Sequence, residues 1–294
     1  MKLNSPPRLR LIANLWSLWD YPSAKREWSL ERKLAAVKEA AFDGFSAALN
    51  RNQGRLARKH GLCTIGYISS STPSEFRGLI QRNQEGGALR INVQLGDHDT
   101  PVEKAIRLAI RIVEDGDALG VPCDVEIHRD TCTETPEKAY AIAAGFRKAT
   151  GRLLPMTWDL SHIAVVKHLA PPYLKRLIVD PRLIQNSRQF HFRPFNGHHC
   201  QVPVTDGAGR LSTEFRQWLP VLDRMIETWL AVDQRDEDFF ACPEMGPVRG
   251  GYNLAQLPNS WEDAKILAGI IAAAWKRALA RIGCPPRNGR PNSP

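Results

Sequence analysis

Short apolar runs alternate with longer amphipathic stretches along most of the chain. LRLIANLW reads as a first strand and is followed by SLERKLAAVKEAAFDG. In the helix predicted there, Leu34, Val37 and Ala41 fall on one face, Ser29 precedes it as an N-cap, and Gly44 lies past its end. FSAAL, CTIGYIS and RINVQLG each precede a further helix-like stretch. Short apolar strands that alternate with amphipathic helices indicate a parallel β/α protein.

Four more apolar runs continue the pattern in the second half of the chain. They are VPCDVEIH, LLPMTWDLSH, SRQFHFRPF and FACPEMGP, and the last helix-like stretch is SWEDAKILAGIIAAAWKRALARI. Eight strands alternating with helices in 294 residues predict a single-domain (β/α)8 TIM barrel. A doubly wound open sheet is the alternative. It usually has a Gly-rich phosphate loop after its first strand, whereas LWSLWD contains no glycine.

The domain boundaries and the charge follow from composition. We expect an N-terminal extension over 1–8, the barrel over 9–283, and a basic, disordered tail over 284–294 that is rich in Pro, Gly and Asn. The net charge of +9 invites nucleic acid or an anionic substrate as a partner. Because Arg is spread over helix faces such as RLAIR and KRALAR, solvated surfaces are the favoured explanation of this charge.

The compartment is predicted from three features of the sequence. The six cysteines include no C-x-x-C pair, which indicates reduced thiols and argues against a zinc ribbon. No stretch reaches about 18 uninterrupted apolar residues, as a membrane span requires. MKLNSPPRLRLIANLWSLWD lacks the apolar core and cleavage site of a signal peptide. We expect a cytoplasmic protein without a membrane partner; a homo-oligomer stays open.

Four residues of metal-ligand type stand at or near the ends of the last four apolar runs. They are Glu126, Asp159, His191 and Glu244. Because the C-terminal ends of parallel strands share one face of a barrel, these side chains are expected to converge. Two Glu, one Asp and one His suit one divalent metal ion, Mn²⁺, Mg²⁺, Co²⁺ or Zn²⁺, without choosing among them. The alternative is that each glutamate pairs with an arginine such as Arg129 or Arg249.

Neighbouring side chains are candidates for substrate contacts. They are Trp16, His128, Arg129, His162 and Arg193. His128 shares its strand parity with Glu126, and Arg193 shares its parity with His191. His128 and Arg129, which follow the first glutamate, are expected to point into the barrel mouth. Arg193 binds a substrate oxygen or, alternatively, forms an ion pair with a ligand carboxylate.

Some of these assignments have competitors. Core packing competes with the site role of His162. Rim packing competes with a sugar platform made by Trp16, Trp19 and Trp158. His198 and His199 compete with His191 for the ligand position, and the roles of these two and of His98 stay open.

The motifs E-I-H-R-D-T (126–131), D-L-S-H (159–162), H-F-R (191–193), Q-V-P (201–203) and P-E-M-G-P (243–247) agree in order and spacing with one known group of proteins. Over roughly residues 9–280 the chain resembles the sugar phosphate isomerase/epimerase superfamily, the xylose-isomerase-like TIM barrels that include the endonuclease IV enzymes. The resemblance implies that Glu126, Asp159, His191 and Glu244 bind one cation. It also implies that Glu126 and Glu244 transfer protons on a small-molecule carbohydrate substrate through an enediolate.

Departures from the family narrow this expectation. Endonuclease IV enzymes carry additional His ligands on strands three and four, but GYISS has no His and VQLG offers Gln94, with His98 beyond it. This argues against nucleic acid as a partner. An isomerase or epimerase is favoured. A dehydratase or lyase acting on a keto-sugar, an endonuclease IV-like phosphodiesterase and a non-catalytic sugar-binding barrel are the alternatives.

Overall fold

The computed structural model describes residues 6–234 and 236–282, and in this part of the chain eight parallel strands form a closed barrel. Each strand pairs with its neighbour in sequence, and β1 closes the barrel against β8. The strands are β1 Arg8–Asn14, β2 Gly44–Ala47, β3 Cys63–Ser70, β4 Ala88–Leu95, β5 Cys123–Glu126, β6 Met156–Trp158, β7 Gln189–Phe192 and β8 Asp238–Pro243. The predicted (β/α)8 barrel is confirmed. The predicted tail over 284–294 lies outside the described residues.

Helices surround the barrel and follow its strands. They are α1 Leu30–Glu39, α2 Arg51–His60, α3 Pro73–Glu85, α4 Val102–Leu119, α5 Pro136–Thr150, α6 Leu160–Val166, α7 Leu174–Leu177, α8 Pro181–Asn186, α9 Thr213–Leu230 and α10 Ser260–Arg281. Two short 3₁₀ segments, Leu15–Leu18 and Ala24–Arg26, lie in the loop between β1 and α1. None of the helices in the described ranges has the length and hydropathy of a membrane span.

The first helix shows where the sequence pattern is right and where it is wrong. The amide of Arg32 donates to Ser29 Oγ at 3.3 Å, so the predicted N-cap is confirmed. The helix ends at Glu39, however, and Ala41 is exposed rather than on the buried face. Ala41 adopts a φ of 60°, and the next amide bonds back to the Val37 carbonyl at 3.2 Å. This turn directs the chain into β2, whose first residue is Gly44.

The barrel interior is built in polar layers beneath its C-terminal mouth. Residues two apart on a strand point to the same side, which places Asp124 below Glu126 on β5 and Gln189 below His191 on β7. In the lower layer, Arg90 donates twice to Asp124, at 2.7 and 2.6 Å, and Gln189 Nε2 donates to it at 2.5 Å. The upper layer contains Glu126 and His191. The period of two along each strand therefore brings polar side chains together at the mouth.

Apolar packing lies mainly outside the barrel wall. The interior contains only a small apolar cluster among the described residues, made of Ile12, Ile65, Phe240 and Cys242. The large core fills the space between strands and helices. Phe239 of β8, for example, lies with its ring centre 5.1 Å from Trp229 of α9 and 5.2 Å from Trp275 of α10. Burial against the helices stabilises the barrel and leaves its mouth free for polar groups.

Candidate metal centre and substrate cavity

The four predicted ligand residues meet at the C-terminal mouth of the barrel. Glu126 is the last residue of β5, His191 lies in β7, and Asp159 and Glu244 directly follow β6 and β8. One ligand atom from each lies within 4.8 Å of the others, and all four residues are buried. Two ligands of one ion are separated by at most twice the bond length, roughly 5 Å for bonds of about 2.0–2.6 Å. The four side chains meet this geometric requirement.

His191 lies between the two glutamates. Its Nδ1 is 2.9 Å from Glu126 Oε1 and 2.8 Å from Glu244 Oε2. Burial alone would lower the pKa of His191, but the two carboxylates outweigh burial and raise the pKa well above its usual value. Burial alone would raise the pKa of Glu126, but His191 outweighs this and lowers the pKa to about 2. The position between the two glutamates therefore favours a positive charge.

Arg193 lies among the same carboxylates and is only 2% exposed. Its Nε is 3.2 Å from Asp159 Oδ2, and its Nη2 is 3.0 Å from Glu244 Oε2. The guanidinium carbon lies 4.3 Å from the ring centre of Tyr252 and 5.5 Å from that of Trp16. The ion pair considered from the sequence is thus present. One nitrogen, Nη1, is buried without a hydrogen-bond partner, which leaves a donor for a further oxygen.

The charge balance of the cluster fits a divalent cation. Its three carboxylates face one arginine, so the group carries two negative charges once a bound cation displaces the proton that the raised pKa of His191 favours. Glu244 Oε2 is buried and has close ionic contacts with His191 and Arg193, but neither contact has the geometry of a hydrogen bond, so the oxygen can still act as a ligand. Three oxygen donors and one nitrogen donor suit Mn²⁺, Mg²⁺, Co²⁺ or Zn²⁺.

Two asparagines that the sequence analysis did not select hold the glutamates in place. Asn92 Nδ2 of β4 donates to Glu126 Oε2 at 2.8 Å, and Asn14 Nδ2 of β1 donates to Glu244 Oε1 at 2.8 Å. Each glutamate therefore has one oxygen fixed by an amide and the other near His191. Strand parity is the signal that could have identified Asn92. Asn92 pairs with Asp124 on the neighbouring strand, and Asp124 lies one layer below Glu126.

His162 contacts a candidate ligand instead of lining the cavity. It lies in the first turns of α6, not in a loop, because Asp159 caps that helix through its bond with the amide of Ser161. Its Nε2 is 3.3 Å from Asp159 Oδ2, and its ring centre is 4.0 Å from that of His128. Both ring nitrogens are fully buried and have no hydrogen-bond partner. The contact of His162 with Asp159 is therefore a close packing contact beside this candidate ligand.

A cavity of about 820 Å³ opens above the cluster. Of the predicted substrate contacts, those that line it are Trp16, His128, Arg129 and Arg193. Burial lowers the pKa of His128 to about 4, so its imidazole is neutral near pH 7. Lining residues that the sequence analysis did not select include Trp28, Lys33, Gln53, Tyr67 and Tyr252. Of these five residues, only Tyr67 of β3 could have been selected from the sequence, because its strand parity places its side chain inside the barrel.

Two groups of aromatic and imidazole candidates lie away from the cluster. Trp158 is buried on the outer side of β6, where its Nε1 donates to Ser187 Oγ at 2.9 Å, so it takes the packing role that competed with the sugar platform. It precedes Asp159 by one residue and therefore has the opposite parity. His198 and His199 are exposed, and His98 Nδ1 is 2.6 Å from Asp130 Oδ1.

The two arginines proposed as alternative partners for the glutamates have other partners. Arg129 Nε donates to the Tyr252 hydroxyl at 3.0 Å. Arg249 Nη1 is 3.1 Å from Asp20 Oδ1. The arginine that pairs with Glu244 is Arg193, which lies one strand away and shares the barrel interior. The alternative in which the glutamates pair with Arg129 or Arg249 is therefore not supported.

The fold was compared with known proteins. No protein-family model and no curated protein matches this sequence. A xylose isomerase-like TIM barrel protein from Mycobacterium smegmatis, in complex with magnesium, is 15% identical with a TM-score of 0.57, over 90% of this chain and 97% of that one. D-allulose 3-epimerase from Methylomonas sp., in complex with D-allulose, is 14% identical with a TM-score of 0.56, over 95% and 100%.

Mannonate dehydratase from Streptococcus suis serotype2 is also similar, at 11% identity and a TM-score of 0.53, over 99% of both chains. At these identities the similarity concerns the fold. It confirms the predicted resemblance to xylose isomerase-like barrels.

Proposed function

We propose that this protein is a metal-dependent sugar isomerase or epimerase. The observation that carries the proposal is the arrangement of Glu126 and Glu244. Both line one cavity, both approach His191 Nδ1, and each is fixed by an asparagine on its other oxygen. Two carboxylates oriented in this way suit proton transfer on two sides of a bound substrate. The epimerase named among the similar folds supports the same class of reaction.

The metal would be held by Glu126, Asp159, His191 and Glu244. When bound, a divalent cation supplies a Lewis acid that stabilises the negative charge of an enediolate. The magnesium complex of a protein with the same fold supports this assignment. Asp159 is oriented by Ser161 and Arg193, which keep its carboxylate among the other three ligands.

The two glutamates would move the protons. Glu126 would be the carboxylate that takes the proton from the carbon next to the carbonyl. Glu244 serves the opposite side. Return of the proton to the neighbouring carbon gives an isomerase, and return to the opposite face of the same carbon gives an epimerase. The free Nη1 of Arg193 would donate to a substrate oxygen, with Trp16, His128 and Arg129 as further contacts.

A dehydratase or lyase acting on a keto-sugar is the second candidate. It would use the same proton abstraction and differ only in the loss of a group from the β-carbon. The similarity of the fold to that of a mannonate dehydratase supports this second candidate. An endonuclease IV-like reaction is disfavoured, because the only candidate metal cluster in the described residues contains four ligands and none comes from β3 or β4.

Exchange of a carbon-bound proton with D₂O tests the proposal. The metal-loaded protein is incubated with ketohexoses, sugar phosphates, inosose-like cyclic ketones and 3-keto-sugars, and exchange is followed by NMR. We expect exchange with at least one compound. We also expect that Glu126→Gln and Glu244→Gln abolish it while keeping the metal, because an amide retains a carbonyl oxygen but cannot accept a proton.

Glu85→Gln is the matched control, since Glu85 pairs with Arg51 on the surface. Exchange near the wild-type rate in both active-site variants would show that the acid/base assignment is wrong. Exchange with no compound, together with cleavage of an abasic-site oligonucleotide, would support the phosphodiesterase instead.

A further inference from the structure

The cavity is larger than one sugar ring requires. Its volume is about 820 Å³. A hexose has about twelve non-hydrogen atoms. If each takes no more than the roughly 30 Å³ that a water molecule occupies in the liquid, the hexose fills less than about 360 Å³. Cavities of several hundred Å³ usually enclose most of a larger ligand. More than half of this space therefore lies beyond a ring held at the metal centre.

The additional space extends across the barrel mouth. The candidate ligands come from β5 to β8, whereas the far wall is formed by the loop after β1 and by the first turns of α1 and α2. Because β1 pairs with β8, the loop after β1 starts beside Glu244, and the first turn of α2, which follows β2, lies across the mouth from β5 and β6. Trp19, Lys33 and Gln53 belong to this far wall, which we call the outer subsite.

Two residues that line the cavity each carry an unpartnered polar atom. Gln53 Oε1 and Trp16 Nε1 are both buried and have no hydrogen-bond partner. One is an acceptor and the other a donor, and a buried polar group without a partner costs free energy. Sugar hydroxyls both donate and accept, so they suit an acceptor such as Gln53 Oε1 as well as a donor such as Trp16 Nε1. Trp19 is 42% exposed at the rim and offers an aromatic surface beside them.

The charges of the outer subsite cancel. Lys33 Nζ donates to Glu27 Oε1, and Arg249, which packs over the Trp19 ring at 4.8 Å, pairs with Asp20 at 3.1 Å. A phosphate would require positive charge in excess of these pairs. An aromatic group would leave the buried acceptor and donor without partners. A neutral polyhydroxylated ring fits the site better than either of these.

We propose that the outer subsite binds a second sugar ring, so that the substrate is a neutral disaccharide-like glycoside whose other ring carries the reacting carbonyl. This inference rests on the proposed function for the chemistry at the first ring. Binding at the outer subsite depends on Gln53 and Trp19 and not on proton transfer. It can therefore be measured separately.

Two measurements test the outer subsite on the metal-loaded protein. Glucose, maltose, cellobiose, trehalose, glucose 6-phosphate and 4-nitrophenyl glucoside are titrated while intrinsic tryptophan fluorescence is followed. D₂O exchange is measured with 3-keto-glucose and the 3-keto forms of the same disaccharides. We expect at least one disaccharide to bind about tenfold more tightly than glucose. In Gln53→Ala and Trp19→Ala the disaccharide-to-glucose ratio should fall about tenfold, while Gln81→Ala, an exposed glutamine on α3, should leave it unchanged.

The outcomes separate the two proposals. Equal affinity for glucose and every disaccharide, or a disaccharide preference that survives both variants, overturns the outer subsite whatever the exchange assay gives. Preference for glucose 6-phosphate or 4-nitrophenyl glucoside over every disaccharide overturns it as well. A disaccharide preference that both variants reduce, without exchange on any 3-keto compound, supports the outer subsite and contradicts the proposed isomerase or epimerase.

Discussion

Replacing Arg193 by Met tests the charge balance of the site directly. Arg193 is 2% exposed and lies 3.2 Å from Asp159 and 3.0 Å from Glu244. Removing one partner of a buried ion pair leaves an uncompensated buried charge and usually costs about 3–5 kcal/mol. We therefore expect Arg193→Met to lower the free energy of unfolding of the chelator-treated protein by about that amount.

The matched control is Arg152→Met. Arg152 pairs with Asp117 at 2.6 Å, but the two side chains are 55% and 46% exposed. Such surface pairs contribute about 0–1 kcal/mol, because solvent screens them. Guanidinium chloride denaturation of wild type and both variants, followed by circular dichroism, compares the same chemical change in a buried and an exposed pair.

Addition of Mn²⁺ gives the second half of the test. A ligand at about 100 times its Kd stabilises the folded state by about 2.7 kcal/mol. Without Arg193 the cluster is more negative, so it should bind Mn²⁺ more tightly, and the ion should recover part of the lost stability. A loss no larger than that of Arg152→Met would refute the charge argument. An equal Mn²⁺ effect on Arg193→Met and on wild type would refute it too.

Three further predictions concern the same layers of the barrel. His191→Ala should lower Mn²⁺ affinity at least about 100-fold by calorimetry, since even residues that only orient ligands often contribute 10–100-fold; unchanged affinity would remove His191 from the ligand set. Asn92→Ala and Asn14→Ala should each lower the D₂O exchange rate by roughly 10–100-fold, and wild-type rates in both would show that these amides do not orient the glutamates. Arg90→Met should cost about 3 kcal/mol in denaturation, because Asp124 is fully buried, yet leave Mn²⁺ affinity unchanged; a loss of affinity would show that the two polar layers are coupled.

The order of strands and helices could be predicted from the sequence because each element carries its own periodic signal. Short apolar runs, followed by amphipathic stretches, indicated the eight strands and the helices that follow them. Ser29 marked its helix start through a local hydrogen bond. The other end of α1 was predicted wrongly, because Ala41 takes a left-handed conformation that no residue preference of alanine indicates.

The grouping of the candidate ligands was also predictable, and for a topological reason. Parallel strands in a barrel end on one face, so Glu126, Asp159, His191 and Glu244 had to approach one another once the fold was known. Parity along a strand further placed His128 and Arg193 at the mouth. These inferences need only the fold and the position of each residue within its strand.

Other features were decided by tertiary structure alone. The pairing of Arg193 with Asp159 and Glu244, the contacts of Asn14 and Asn92 with the glutamates, and the outward position of Trp158 depend on which side chains face each other across strands. The outer subsite likewise combines a loop after β1 with a turn of α2. Sequence periodicity reports the direction of a side chain from its own strand or helix. The distance to its partner depends on strand register, barrel closure and loop path, which long-range packing sets.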